Sequence, residues 1–282
     1  MSKLLALVDG SAYSQSVCDH AAWVAGRAGL EVELLHVLGR RETTSTPSDL
    51  SGNIALGART TLLNELSALD EQRAKLAQKR GRAILEDAEE ILMARGLDRV
   101  STRLRIGDIV ETVAEAEADA EMVVIGKRGE AADFARLHLG SNLERIVRSS
   151  LKPVFVASRA FRTPERVLIA YDGGASSMKA VDHVARSPVF SGLSCRLVTV
   201  GQETPEARSA IEDARALLMA GGHEAEADIV AGHPETVIAR EAAGSDLLVM
   251  GAYGHSRIRS LIIGSTTTEM IRSCKIPVML FR

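Results

Sequence analysis

The sequence predicts an α/β fold: two repeated doubly wound domains, each with a parallel sheet flanked by helices. Three observations carry this. The chain repeats itself, short apolar runs alternate with helical patterns, and clustered glycines stand where several of the runs end. A shift of 163 positions lays Asp9-Gly10 on Asp172-Gly173, Asp19-His20 on Asp182-His183, Leu30 on Leu193 and Val37 on Val200 without a gap. A shift of 125 lays Gly107 on Gly232, Gly126 on Gly251 and Gly129 on Gly254, and a shift of 124 lays Gly140-Ser141 on Gly264-Ser265 and Pro153 on Pro277. Self-similarity on this scale marks an internal duplication. Strand-helix alternation within each copy marks a parallel sheet covered on both faces.

In chain order, Lys3 to Val8 reads as a buried strand, Ser14 to Ala28 as a helix with Val17, Ala21, Val24 and Ala25 on one face, and Glu31 to Leu38 as a second strand. In the second copy, Val167 to Ala170, Ser177 to Arg186 and Ser194 to Val200 repeat that order. The boundary falls near Ser158 to Glu165, where Pro164 and charged residues interrupt the apolar run Val154 to Ala157, so the expected domains are 1–160 and 164–282. The copies differ most at 39–80. There Arg40 to Gly52 reads as loop, and Ala58 to Arg95 as helix with an expected break near Gly81. Leu62, Leu66, Leu69 and Leu76 form a short heptad-like seam. Two readings stay open for it: cover for its own sheet, or a dimer or partner surface.

Composition narrows the function. A chain of 282 residues suits two domains. Hydrophobic content of 46% with only 3% aromatics calls for an aliphatic core. A net charge of −3, a pI near 6.2 and few stacking rings argue against nucleic acid as a partner. Cys18, Cys195 and Cys274 have neither metal-ligand spacing nor a disulfide pattern, which fits a reducing, cytoplasmic setting. The first apolar run meets Asp9 too early for a signal peptide, and no run approaches membrane length, so no membrane partner is expected.

The functional signal is strongest from Asp246 to Thr266. The run Leu247 to Met250 ends at Gly251, Gly254 follows, and Gly264-Ser265-Thr266 opens the helical pattern Thr267 to Ser273. Glycines let backbone N–H groups approach a bulky anion, and a helix N-terminus adds unpaired donors and a positive dipole end. Ser265 and Thr266 add hydroxyls. The chain has neither the P-loop pattern nor the G-x-G-x-x-G fingerprint. A tight turn with no ligand is the alternative.

Asp9 and Asp172 each follow a first strand. Such a carboxylate can accept from an adenine amino group or a ribose hydroxyl, or simply stabilise the turn. The backbone groups of Val37 and Val200 could read an adenine edge. His20 and His183 read as packing or capping residues and His233 as a turn residue. His255 and Arg257 either reach phosphate or are solvated. No Ser or Cys pairs with His and Asp in a way that assigns a catalytic group, and no metal site is expected.

Taken together, these features resemble the universal stress protein family over nearly the whole chain, as a tandem member. The residues that carry the resemblance are Asp172, Val200, Gly232, Gly251, Gly254, Gly264 and Ser265, with Asp9, Val37, Gly107, Gly126, Gly129, Gly140 and Ser141 in the first copy. The resemblance implies a five-stranded parallel sheet in each half. It also implies ATP or AMP, with Mg2+ as the accompanying ion, at the carboxyl edge. The implied site comprises Ala170, Tyr171, Asp172, Val200, Met250, Gly251, Tyr253, Gly254, Gly264, Ser265 and Thr266, with Asp9, Val37, Gly126, Gly129, Gly140 and Ser141 as weaker counterparts. It further implies a stress-regulatory role, at most slow ATP hydrolysis, and final strands that pair either between two chains in a homodimer or within the chain as a pseudo-dimer. The alternatives are a nucleotide-free scaffold and an enzyme of the ATP pyrophosphatase-like group, whose loop Asp172 to Ser177 faintly resembles. The loop 130–139 is one residue longer than 255–263 and carries Glu130 and Asp133, partly offset by Lys127 and Arg128. The second half is therefore the expected nucleotide site.

Overall fold

A computed structural model describes residues 2–39, 56–127, 141–252 and 265–282. The first half contributes β1 (Lys3–Leu7), α1 (Ser14–Ala28), β2 (Glu31–Leu38), α2 (Leu56–Ala94), β3 (Val100–Ile106), α3 (Ile109–Ala116), β4 (Ala120–Gly126), α4 (Ser141–Ser149) and β5 (Val154–Ala157). The second contributes β6 (Arg166–Ala170), α5 (Ala175–Arg186), β7 (Ser194–Val200), α6 (Pro205–Ala220), β8 (Ala225–Val230), α7 (Pro234–Ala242), β9 (Leu247–Gly251), α8 (Ser265–Ser273) and β10 (Val278–Phe281). The strands form one sheet in the order β3-β2-β1-β4-β5-β10-β9-β6-β7-β8. Each half supplies five parallel strands, and the halves meet in one antiparallel pairing, with Phe155 opposite Met279 and Val156 opposite Val278. The strand order is that of a doubly wound sheet, reflected across the β5–β10 seam.

Alternation along the strands decides which residues face which helices. In β1 and just beyond it, Leu4, Ala6 and Val8 face one way and Leu5 and Leu7 the other; in and after β6, Val167, Ile169 and Tyr171 oppose Leu168 and Ala170. The first face is covered by α1, α2, α5 and α6, and the second by α3, α4, α7 and α8. Each apolar cluster draws residues from both halves, so the core is continuous across the seam. Of the two pairings the resemblance left open for the final strands, the structure shows the one within the chain; local pattern could not choose, because β5 and β10 are about 120 residues apart and must meet in space.

Cations from each half cap backbone of the other across the seam. Lys127 donates to Cys274 O at the end of α8, and Arg282 donates to Arg148 O in α4 at 3.2 Å. A cation at a helix C-terminus complements the partial negative charge there. Arg27 of α1 reaches Val189 O at 2.5 Å. Lys127, expected to offset acidic charge in its own glycine loop, reaches the opposite half here, while Glu130 and Asp133 lie outside the described residues.

One local expectation is overturned. α2 runs from Leu56 to Ala94 with no break at Gly81. Gly81 lies close against the sheet: a Cβ there would stand 2.8 Å from Leu104 Cδ1 and 3.0 Å from His36 Cδ2. A helical glycine costs about 1 kcal/mol relative to Ala, and here it lets α2 pack close to the Leu104 and His36 side chains.

Candidate functional site

In a doubly wound sheet the ligand crevice opens where the chain reverses its direction of winding, beyond the carboxyl ends of the strands. In the second half that point lies between β6 and β9, whose last paired residues are Ala170 and Met250. The structure places Ala170, Tyr171, Asp172, Val200, Met250 and Gly251 along this edge, with the start of α8, Ser265 and Thr266, following β9. Tyr253, Gly254, His255, Arg257 and Gly264 lie outside the described residues.

The turn after β6 is built around Asp172. Its Oδ1 accepts from Gly174 N at 2.9 Å and from Ser177 Oγ at 2.6 Å, and Gly173 bends the chain with φ of +74°. A glycine is needed there because a Cβ is penalised at positive φ. The first half repeats the device: Asp9 Oδ1 accepts from Ser11 N at 3.0 Å and from Ser14 Oγ at 3.4 Å, and Gly10 also has φ of +74°. Ser14 and Ser177 coincide under the same shift of 163, so the sequence carried the signal for this pair. Both aspartates thus stabilise the helix start.

Gly251 packs tightly against the start of α5. A Cβ on it would come within 3.0 Å of Ser176 Cβ and 3.1 Å of Ser177 N, so the end of β9 rests directly on the first turn of α5. Tyr171 is buried among core residues, which raises the pKa of its hydroxyl, with nearby Asp172 and Asp213 acting in the same direction. Its backbone is committed as well: its N–H donates to Val198 O at 2.9 Å and its carbonyl accepts from Thr199 Oγ1 at 2.9 Å. The contribution of Tyr171 is therefore to fix the crevice wall. Val198 is the last β7 residue in the ladder with β6. Backbone orientation repeats every second residue along a strand, so Val200 turns its N–H and C=O to the same side, past the end of the ladder and towards the crevice.

At the other wall, Thr267 Oγ1 donates to Ala252 O at 3.2 Å, tying α8 to the end of β9. Ser265 Oγ donates to Glu235 Oε1 of α7 at 3.2 Å. Sequence reading found no acidic residue in this loop and missed Glu235, which only the packing of α7 against α8 brings to the helix start. A shallow cavity of about 460 Å³ lies between these helices, lined by residues including Glu235, Ser265, Glu269 and Met270.

The first half offers the same edge, with Asp9, Val37 and Gly126 at the matching strand ends. Ser141 opens α4, while Gly129 and Gly140 lie outside the described residues. Here α2 changes the outcome. Ile84 lies against the Asp9-Gly10 turn, so that a Cβ on Gly10 would stand 2.8 Å from its Cδ1; at Gly173 no described residue lies within 4 Å of the same position. His36, at the place of Thr199, is buried and donates through Nδ1 to Val8 O at 2.7 Å. Among the described residues the two halves thus share one turn geometry, covered by Ile84 in the first and by no side chain in the second.

The described residues hold no cluster of three His, Cys, Asp or Glu groups suited to a metal ion. Burial pushes the Cys18 and Cys195 thiols up to about 12 and raises that of Cys274, leaving none of them poised as a nucleophile. His20 and His183 are packing residues. His20 lies 5.4 Å from the Phe155 ring and donates to Ser16 O at 2.7 Å, and His183 lies 5.1 Å from Phe281. His233 precedes α7 as its N-terminal flank, the turn position expected of it.

Known proteins place this geometry. A family model described as the universal stress protein family matches residues 1–158 and 196–282. The chain belongs to the universal stress protein family. Universal stress protein Slr1230 of Synechocystis is 38% identical over 287 residues and covers the full length of both chains. A universal stress protein of Mycolicibacterium smegmatis is 26% identical, over 99% of this chain and 96% of its own. The crystal structure of a universal stress protein from Archaeoglobus fulgidus superposes with a TM-score of 0.75 at 21% identity, covering 99% of this chain and 98% of that one. That full-length match extends the universal stress protein fold to the tandem arrangement seen here.

Proposed function

We propose that this universal stress protein binds an adenine nucleotide, ATP or AMP, in its second half and acts as a cytoplasmic stress regulator, with residues 1–160 and 164–282 as its two units. The observation that carries the reading is the Asp172-Gly173 turn, which no described residue covers, beside the outward-facing backbone of Val200, set against the counterpart covered by Ile84 in the first half. A carboxylate and a strand-end amide and carbonyl suit a ribose hydroxyl and an adenine edge. The first turn of α8, with Ser265 and Thr266, supplies donors and a positive helix end for phosphate oxygens.

Glu235 refines the phosphate side. A carboxylate accepting from Ser265 disfavours a second anion nearby, so phosphate capture requires either Ser265 to turn away or a cation such as Mg2+ to stand between them. The loop residues Tyr253, Gly254 and Gly264 complete the proposed set. The asymmetry between halves rests on the cover that α2 places over the first turn. Identification by mass spectrometry of the nucleotide released on denaturing the purified protein, followed by calorimetric titration, tests the reading. One equivalent of adenine nucleotide per chain is expected; protein that carries none and takes up neither ATP nor AMP overturns it.

A further inference from the structure

Each outer strand of the sheet is held on one side only, β3 by β2 and β8 by β7. The two pairs are built alike. Leu35 stands opposite Arg103 and Val198 opposite Asp228, and the shifts of 163 and 125 lay the first pair on the second. Towards α1, α2, α5 and α6 the outer strands present uncharged side chains, Val100 and Leu104 from β3 and Ala225 and Ile229 from β8. The opposite face carries charge, and its sign is inverted between the halves. Glu33 of β2, its side chain 5% exposed, meets Lys3 at 2.6 Å and Arg103 of β3 at 2.5 Å. At the place of Glu33 the second half has Arg196, which meets Asp228 of β8 at 3.0 Å and Glu241 of α7 at 2.8 Å. Asp228 stands at the place of Arg103. The inner strand is thus the anionic one in the first half and the cationic one in the second.

Stability does not explain the inversion. Either polarity makes the same ion pair, and the Arg196 and Asp228 side chains are 40% and 46% exposed, where such a pair contributes little. Strand exchange does explain it. If β8 were to add to β2, Asp228 would face Glu33, and a buried carboxylate would lose a guanidinium and gain a like charge. If β3 were to add to β7, Arg103 would face Arg196. Repeated halves misassemble by exchanges of this sort, and repulsion built against the wrong partner refuses them. We propose that the inverted ion pairs keep the two halves from exchanging their outer strands as the chain folds, within one chain or between two. The buried Glu33 carries most of the discrimination, because its wrong pairing is the one shielded from water.

A pair of thiols reads the exchange. β2 is second and β8 tenth in the sheet, so eight spacings of about 4.8 Å, about 38 Å in all, separate them. Val37→Cys on β2 and Val230→Cys on β8 are therefore beyond the reach of a short bismaleimide. β8 placed on β2 would bring them side by side, since Val37 stands opposite Arg105 and Val230 holds the place of Arg105. The chain with both thiols is unfolded in denaturant, refolded by dilution and then treated with the reagent, the three native cysteines being buried once it has folded. With the native charges, cross-linking should stay at background. Arg196→Glu/Glu226→Ser/Asp228→Arg/Glu241→Ala writes the first half's residues into the second and should raise it at least about tenfold. Glu33→Gln keeps the shape, removes the repelling charge and should also raise it; this variant carries the test if the first does not fold. Leu92→Ala weakens the core without touching these charges and should leave cross-linking at background. No rise in either charge variant, or an equal rise in Leu92→Ala, would overturn the proposal.

Discussion

Replacing Asp172 separates the two tasks assigned to that carboxylate. Asp172→Ala removes the acceptor of Gly174 N and Ser177 Oγ at the start of α5. Loss of a capping group of this type costs about 1–2 kcal/mol, which for a chain of this size lowers the melting temperature by roughly 2–8 °C. Asp9→Ala removes the matching acceptor of Ser11 N and Ser14 Oγ, at longer distances, and should cost no more. Binding distinguishes them. A hydrogen bond to a charged group contributes about 1.5–3 kcal/mol, so Asp172→Ala should weaken adenine-nucleotide affinity by about 10- to 150-fold. Asp9→Ala should leave it within about twofold, because Ile84 covers that turn. Asp172→Asn keeps an oxygen for the cap while losing the charge, so it should spare most of the stability and still weaken binding. Thermal melts and calorimetric titration of the three variants make the comparison. If Asp9→Ala abolishes binding and Asp172→Ala does not, the assignment of the site to the second half is wrong. Equal losses from both would mean that the cover over Gly10 does not exclude ligand.

Gly251→Val should cost about 1–3 kcal/mol and remove nucleotide binding, because its Cβ meets the Ser177 backbone, which cannot rotate away; a normally stable variant with full affinity would contradict that packing. Acid sensitivity follows from His20 and His183, whose pKa values burial lowers from the ordinary 6.5. A group whose folded pKa is depressed in this way favours folding fully above its unfolded pKa, and that stability is lost as pH falls through 6.5 towards the folded value. The melting temperature should therefore drop as pH is taken from neutral to about 5.5, with a shallower drop in His20→Phe/His183→Phe; identical pH profiles would refute the assignment. Steady-state ATP hydrolysis should stay below about 1 s⁻¹, the slow end of ordinary enzymes, since no general base or nucleophile was found at the described edge; faster release of phosphate or pyrophosphate would show a catalytic site.

Much of this was legible in the sequence because it depends on local pattern. Ser14–Ala28, Glu31–Leu38, Ser194–Val200 and Val154–Ala157 have the bounds that periodicity and flanking residues gave them. The duplication gave the repeated succession of strands and helices along the chain, and with it the strand ends at which Asp172, Val200 and Gly251 stand; the spatial order of the strands came from the structure. Three matters were decided only by tertiary structure. Whether the halves form two sheets or one depended on β5 meeting β10, a long-range contact with no local signature. Gly81 reads as a helix breaker in isolation, yet it lies mid-helix because the packing of α2 against His36 and Leu104 outweighs propensity. The chemistry around the candidate phosphate end and the openness of each crevice were set by Glu235 and Ile84, both distant in sequence from the motifs they modify. Spacing places backbone donors, because those follow the chain. It does not place the side chains that other elements bring alongside, because those follow how helices of different length pack on a shared sheet.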